Sequence, residues 1–236
     1  MTTMGESEGT AGVWIVVPAF NEAGVVGEVV TGLRSAFRNV VCVDDGSADG
    51  TGAAALAAGA HLVRHPVNLG QGAAIQTGVE YARAQPGARI LATFDADGQH
   101  RVEDLVAMVK RLADTGADVV IGTRFAQPAA SRPPLAKRIV LRTAARLSRR
   151  SRRLGLTDAH NGLRVFTKSV ADGLTLTMSG MSHAGEFIRL IDENRWRVVE
   201  EPIEVLYTDY SKAKGQPLLN GINIVFDGLI RGRSPR

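Results

Sequence analysis

Cysteine is all but missing from this chain of 236 residues: the single Cys42 lies in the apolar run Val40-Val41-Cys42-Val43 and reads as a packed core thiol. One cysteine excludes a disulfide framework and a cysteine-ligated metal centre. The five histidines show no metal-ligand spacing. No uncharged run approaches the ~20 residues that a membrane-spanning helix needs. Met1 to Ala11 holds two glutamates and no apolar core, so it is not a secretory signal and is expected to be a disordered tail over 1–11. The Gly-x-Gly-x-x-Gly turn of a dinucleotide-binding dehydrogenase does not follow the first predicted strand. These absences lead us to expect a cytoplasmic chain with one domain over 12–236.

Acidic residues are missing from one segment, and this is informative. Residues 119–157 carry ten Lys or Arg and no Asp or Glu, whereas residues 1–118 carry 8 basic against 14 acidic side chains. The net charge of +4 therefore lies in the middle of the chain, and an anionic partner is expected there. Pro133-Pro134 opens a helical pattern ending near Leu154-Gly155. In it Arg138, Arg142, Arg146 and Arg149 or Arg150 recur at helical spacing beside Leu135, Ile139, Val140, Leu141 and Leu147. A basic stripe beside an apolar one favours an anionic membrane surface, and a solvated face over the core is the plainer alternative. No aromatic residues interleave with these arginines, so nucleic acid is not expected as a partner.

The first half alternates short apolar runs with amphipathic stretches. Strands are predicted at Trp14–Val17, Val40–Val43, His61–Arg64, Ile90–Phe94 and Asp118–Gly122. Helices are predicted from Asn21 or Glu22 to Phe37, over Thr51–Ala58, from Gly70-Gln71-Gly72 through Tyr81, and over Val102–Leu112. This alternation implies right-handed crossovers and an α/β, doubly wound, mainly parallel sheet with helices on both faces. Further on, a strand is expected at Gly162–Thr167, with helices at Lys168–Leu176 and His183–Asn194. A strand should follow within Trp196–Val205, and an amphipathic helix over Pro217–Leu229. In such sheets ligands bind beyond the carboxyl ends of the strands. Three polar motifs converge there: Pro18–Glu22, Asp44–Ser47 and Asp95–Gln99.

Of these, Asp95-Ala96-Asp97-Gly98-Gln99 carries the most chemistry. Two carboxylates one residue apart at a strand end can face one hard cation, with Gln99 adding a carbonyl oxygen. This oxygen-rich set suits Mg²⁺ or Mn²⁺ with a diphosphate at the remaining positions. A solvated turn is the alternative for Asp-x-Asp taken alone.

With these residues in hand, the chain resembles the family 2 glycosyltransferases of the GT-A fold, and most of all the branch that loads sugars onto polyprenyl phosphate. The resemblance runs from about Val13 to Lys212. It rests on Pro18-Ala19-Phe20-Asn21-Glu22, Val43 to Thr51, Asn68 to Gly72, Asp95 to His100, Gly122-Thr123-Arg124, and Thr157-Asp158 with Asn161 to Phe166. It implies a nucleotide-sugar-binding half over 12–122 and an acceptor-binding half over 123–236. It assigns the metal to Asp95, Asp97 and Gln99. The donor nucleotide falls to Pro18, Phe20, Glu22, Val43, Asp45, Gly70, Gly72 and Asp95, with Asp45 accepting from a ring N–H of uracil or guanine. For Gly70 and Gly72 a plain strand-to-helix turn is the alternative. Relatives often carry lysine where Gln71 stands.

The same resemblance makes Asp158, with Asp97, the catalytic pair; Asp158 either orients the acceptor or takes a proton. Arg124, Arg138 and Lys212 are assigned to the acceptor phosphate, Lys212 because relatives place an arginine before this Ser-Lys pair and none occurs from Pro202 to Lys212. Glu186 reads as a helix-surface residue. The implied reaction is metal-dependent, inverting transfer of a sugar from a UDP- or GDP-sugar to a polyprenyl phosphate at the inner face of the cell membrane, with a separate membrane protein as a further partner. The rival readings are a family 2 transferase with a soluble or polysaccharide acceptor, and a non-catalytic nucleotide-sugar-binding or scaffold protein.

Overall fold

The computed structural model describes residues 10–124, 149–158, 161–178 and 182–206. Their elements, in chain order, are β1 (Val13–Ala19), α1 (Val26–Ala36), β2 (Asn39–Asp44), α2 (Thr51–Ala57), β3 (His61–Arg64), α3 (Gln71–Arg83), β4 (Ile90–Thr93) and α4 (Val102–Thr115). They continue with β5 (Val119–Thr123), α5 (Arg149–Arg153), β6 (Arg164–Thr167), α6 (Lys168–Gly173), α7 (His183–Asn194) and β7 (Val198–Pro202). The strands form one seven-stranded sheet in the order β3-β2-β1-β4-β6-β5-β7. Only β6 runs against its neighbours, β4 and β5, so the sheet is mainly parallel as expected.

The sheet is covered on both faces because its central strands are apolar on both. Every residue of β1 is buried. Its Val13, Ile15 and Val17 pack with Val26, Val30 and Leu33 of α1 and Leu105 and Met108 of α4. Trp14 and Val16 belong to the opposite cluster, with Ile75 and Val79 of α3, Val170 of α6 and Phe187 of α7. The successive residues of β1 thus serve two cores, which is the strand period of two at work. Helix α3 lies close to the sheet at Gly78, where a Cβ would fall 2.3 Å from Val16 Cγ1. Cys42 is fully buried, and burial, then the Asp44 charge, push its thiol up to about 12, as a packed and unreactive core residue requires.

Three of the boundaries that differ from those expected have a visible consequence for the chain path. Helix α1 starts at Val26 rather than Asn21 or Glu22, because Asn21 adopts φ 53° and the Glu22 carbonyl closes a turn onto Val25 and Val26 N–H. Helix α6 ends at Gly173, and the chain is extended at Leu174. The last strand covers only Val198–Pro202. Among the described residues no helix is long and apolar enough to cross a membrane. Most of the predicted basic helix, Arg138, Lys212 and the predicted helix at Pro217–Leu229 lie outside the described residues.

Candidate active site

The loops after β1 and β2 are stitched together by side chains, which fixes one wall of the site. Asn21 N–H donates to Ser47 Oγ at 2.9 Å and its Oδ1 accepts from Ala48 N–H at 3.0 Å. Glu22 N–H donates to Thr51 Oγ1 at 2.8 Å and Ala23 N–H to Asp49 at 3.2 Å. Asp44 is buried and turns the chain by accepting from Ser47 N–H at 2.9 Å. Asp45, also buried, accepts from His65 Nδ1 at 2.7 Å, Leu69 N–H at 2.9 Å and Gly70 N–H at 2.8 Å. It therefore anchors the loop that enters α3, where Gly70 adopts φ 94°.

These loops and the one after β4 enclose a cavity of about 360 Å³. Seven of the predicted residues line it together: Pro18, Phe20, Glu22, Asp45, Gly70, Asp95 and Asp97. Three others assigned to the nucleotide or the metal do not. Val43 is fully buried with its Cγ2 beneath Gly78 of α3, where no base can reach it. Gly72 faces the wall behind the cavity: a Cβ there would fall 2.0 Å from the Met178 carbonyl oxygen, so its small size serves helix packing. Gln99 uses its backbone, with N–H on Asp97 Oδ1 at 3.0 Å and carbonyl accepting from Leu206 N–H at 2.8 Å.

Asp95 and Asp97 differ electrostatically. Burial would raise the Asp95 carboxyl, but the hydrogen bond from His100 Nε2 at 3.3 Å and the charges of His100, His183 and Arg164 hold it below its ordinary value. Its other oxygen accepts from Gln71 Nε2 at 3.0 Å, so Gln71 touches a carboxylate. Asp97 is pushed up to about 6 by burial and then by the Asp95 charge. Two neighbouring carboxylates that repel each other are a site for a cation. Among the described residues no three His, Cys, Asp or Glu form a complete metal cage.

Behind the cavity, Asp158 is buried and gripped side-on by Arg124, with Nε on Oδ2 at 2.6 Å and Nη2 on Oδ1 at 2.7 Å. Glu200 holds this corner by accepting from Asp158 N–H at 2.9 Å and Thr157 N–H at 2.7 Å. The Arg124 guanidinium, expected on the acceptor phosphate, is thus engaged by Asp158, and neither residue lines the cavity. Glu186 is not on the surface: it is buried, and accepts from Thr177 N–H and Met178 N–H at 2.9 Å and from Thr177 Oγ1 at 2.7 Å. Arg164, His183 and Gln71 also line the cavity; Arg164 and Gln71 lie within the motifs that carry the family resemblance, but no ligand contact is assigned to any of the three from sequence. A charged residue inside the apolar run Leu163 to Phe166 was the available signal for Arg164.

A sheet of this order with an acidic pair beyond β4 defines the GT-A class of nucleotide-sugar enzymes. The solved structure of Mycobacterium tuberculosis glucosyl-3-phosphoglycerate synthase with Mn²⁺ and UDP-glucose shares the fold, with a TM-score of 0.72 at 17% identity over 97% of this chain and 81% of that one. The model of glycosyl transferase family 2 matches residues 14–175, and the chain belongs to that family; it is a glycosyltransferase. It is 27% identical to the UDP-N-acetylglucosamine–dolichyl-phosphate N-acetylglucosaminyltransferase of Methanococcus voltae, over 91% of this chain and 93% of the relative. It is 30% identical to the polyprenol monophosphomannose synthase of Mycolicibacterium smegmatis, over 94% and 88% respectively.

Proposed function

We propose that this chain transfers a sugar from a nucleoside diphosphate to a polyprenyl phosphate, with inversion at the anomeric carbon, while docked on the cytosolic face of a membrane. The observation that carries the reading is the Asp95–Asp97 pair on the wall of one cavity with Asp45, Phe20 and Glu22. The names of the two relatives support the acceptor class. The Mn²⁺ and UDP-glucose of the structural neighbour support a divalent ion and a nucleotide donor.

Each residue has a physical task in this reaction. Asp95 and Asp97 would hold Mg²⁺ or Mn²⁺, and the charge of that ion would stabilise the departing diphosphate. Phe20 and Pro18 give the base an apolar slot, and the second oxygen of Asp45, which takes one N–H, retains a lone pair for a ring N–H. A phosphate acceptor is already ionised at neutral pH and needs little help from a base. Asp158, with both oxygens held by Arg124, acts as an electrostatic organiser of the acceptor side. The basic segment over 119–157 and Lys212 meet the anionic acceptor and its membrane.

Incubating the purified chain with UDP- and GDP-sugars, Mn²⁺ and either a polyprenyl phosphate or a soluble glycan tests this directly. Label should pass into lipid only with metal present. Transfer to the soluble acceptor alone would overturn the lipid reading, and transfer unaffected by a chelator would overturn the metal.

A further inference from the structure

Among the described residues, Arg164 is a buried cation with donors left unmet. It stands in β6 between Thr93 of β4 and Ile121 of β5, in the middle of the sheet, and is only 1% exposed. Its guanidinium lies over the Phe187 ring, 4.8 Å from the centroid. Its Nε and Nη2 are buried and have no hydrogen-bond partner. These two atoms form the side-on edge of the fork, the edge with which Arg124 grips Asp158. Burial pulls Arg164 down to about 10, against the opposing charges of Asp95 and Asp158. Neither carboxylate answers it with a hydrogen bond: Asp158 is held by Arg124, and Asp95 accepts from Gln71 and His100. A buried cation with two unmet donors is unfavourable until an anion reaches it.

The cavity borders this residue. Arg164 lines it together with Asp95, Asp97, Gly162 and His183. Gly162 keeps the space narrow but open, since a Cβ there would sit 2.2 Å from Asp95 Oδ2. We propose that Arg164 is a phosphate-binding residue, its Nε–Nη2 edge taking two oxygens of a phosphate seated in the cavity beside Asp95. This inference rests on the transferase reading above and adds to it a recognition residue supplied by β6. Planar two-point contact to phosphate is what an arginine offers and a lysine does not. The phosphate belongs either to the diphosphate of the donor or to the lipid acceptor, and the two are separable.

The test uses the full chain and the variants Arg164→Met and Arg164→Lys, each checked for its melting transition. The probes are inorganic pyrophosphate and farnesyl phosphate, titrated calorimetrically with a chelator and again with Mn²⁺. Wild type should bind pyrophosphate without metal, and both variants should lose about tenfold or more in affinity for one probe, as removal of a charge-assisted contact implies. Loss for pyrophosphate places the contact on the donor, and loss for farnesyl phosphate alone places it on the acceptor. Lysine in place of arginine retaining full affinity for both probes overturns the proposal, as does a wild type that binds neither probe without metal. If Arg164→Met does not fold, Arg164→Lys alone decides. A wild type that binds pyrophosphate through Arg164 yet moves no sugar would sink the transferase reading and leave the phosphate site standing.

Discussion

Asp97 is where the chemistry of single residues becomes measurable. Its carboxyl is held at about 6 by burial and by Asp95, above the ordinary carboxylate value of 3.8. A group whose folded pKa is raised binds protons more readily in the folded chain than in the unfolded one. Its contribution is fully present below the unfolded value and is lost as pH rises through about 6. The metal-free chain should therefore be less stable at pH 7.5 than at pH 5 on account of this residue. Asp97→Asn should recover about 1–2 kcal/mol at pH 7.5, a figure reduced for the partial exposure of the group. The same variant should lose all stabilisation by Mn²⁺, and thermal melts with Mn²⁺ or chelator at the two pH values read both effects. An Asp97→Asn chain still stabilised by Mn²⁺ would remove Asp97 from the metal site.

Glu186 gives a second prediction at this scale. Its carboxyl is held below the ordinary value: burial would raise it, but hydrogen bonds from Met178 and Thr177 outweigh that. Its stabilisation is present above the unfolded value of 4.5 and is lost as pH falls through the lower folded one. Glu186→Ala removes three hydrogen bonds to a carboxylate and strands buried donors, so it should lower stability by about 2–4 kcal/mol in urea melts at pH 7. A loss under 0.5 kcal/mol would return Glu186 to the surface role that its polarity alone had implied. The helical period around Glu186 was legible, but its burial was not. It depends on the segment after α6 folding back so that Thr177 and Met178 present their N–H groups to it.

Among the elements, α3 shows how packing sets the site. Its first turn carries Gly70, Gln71 and Gly72, which meet Asp45, Asp95 and the Met178 carbonyl in turn. Alanine at position 72 would gain about 1 kcal/mol of helix propensity. It would also drive a Cβ to 2.0 Å from a backbone oxygen and 3.0 Å from His183 Cβ. Overpacking against backbone costs about 1–3 kcal/mol, so the clash should win. Gly72→Ala should melt lower than wild type, whereas Gly185→Ala in α7, where a Cβ meets nothing within 4 Å, should melt equal or higher. Two variants that behave alike would mean that the α3–α7 contact is loose.

The elements themselves were largely legible. Strand and helix periods, and turn residues such as Asp44-Asp45-Gly46-Ser47, act over a few residues and can be read locally. The direction of β6 was not, because an antiparallel insertion between β4 and β5 is decided by pairing across the sheet. That insertion is what puts Arg164 beside Asp95, a proximity that its motif alone does not indicate. The partners of Arg124 and Gln71 were hidden for the same reason, lying 34 and 24 positions away in sequence.

At the scale of the whole molecule, charge is separated along the chain. Residues 1–118 carry an acidic excess, while residues 119–157 carry ten cations and no anion. Part of that basic segment is structural, since Arg150 and Arg153 of α5 both reach Asp192 of α7. Arg138, Arg142 and Arg146 stand at helical spacing ahead of them and are the cations to test for a lipid surface. A basic residue near an anionic membrane contributes about 1 kcal/mol, so three together correspond to roughly a hundredfold change in partitioning. Co-sedimentation with vesicles containing phosphatidylserine should therefore fall steeply as salt rises, because the attraction is screened within a Debye length of about 10 Å at 0.1 M. Replacing all three by glutamine should abolish most of the low-salt adsorption and leave nucleotide binding in the cavity intact. Equal sedimentation of the triple variant and wild type at every salt concentration would reject the membrane reading. Loss of nucleotide binding in the variant would instead make these arginines part of the packing of the fold, tied to neighbouring helices as Arg150 and Arg153 are to Asp192.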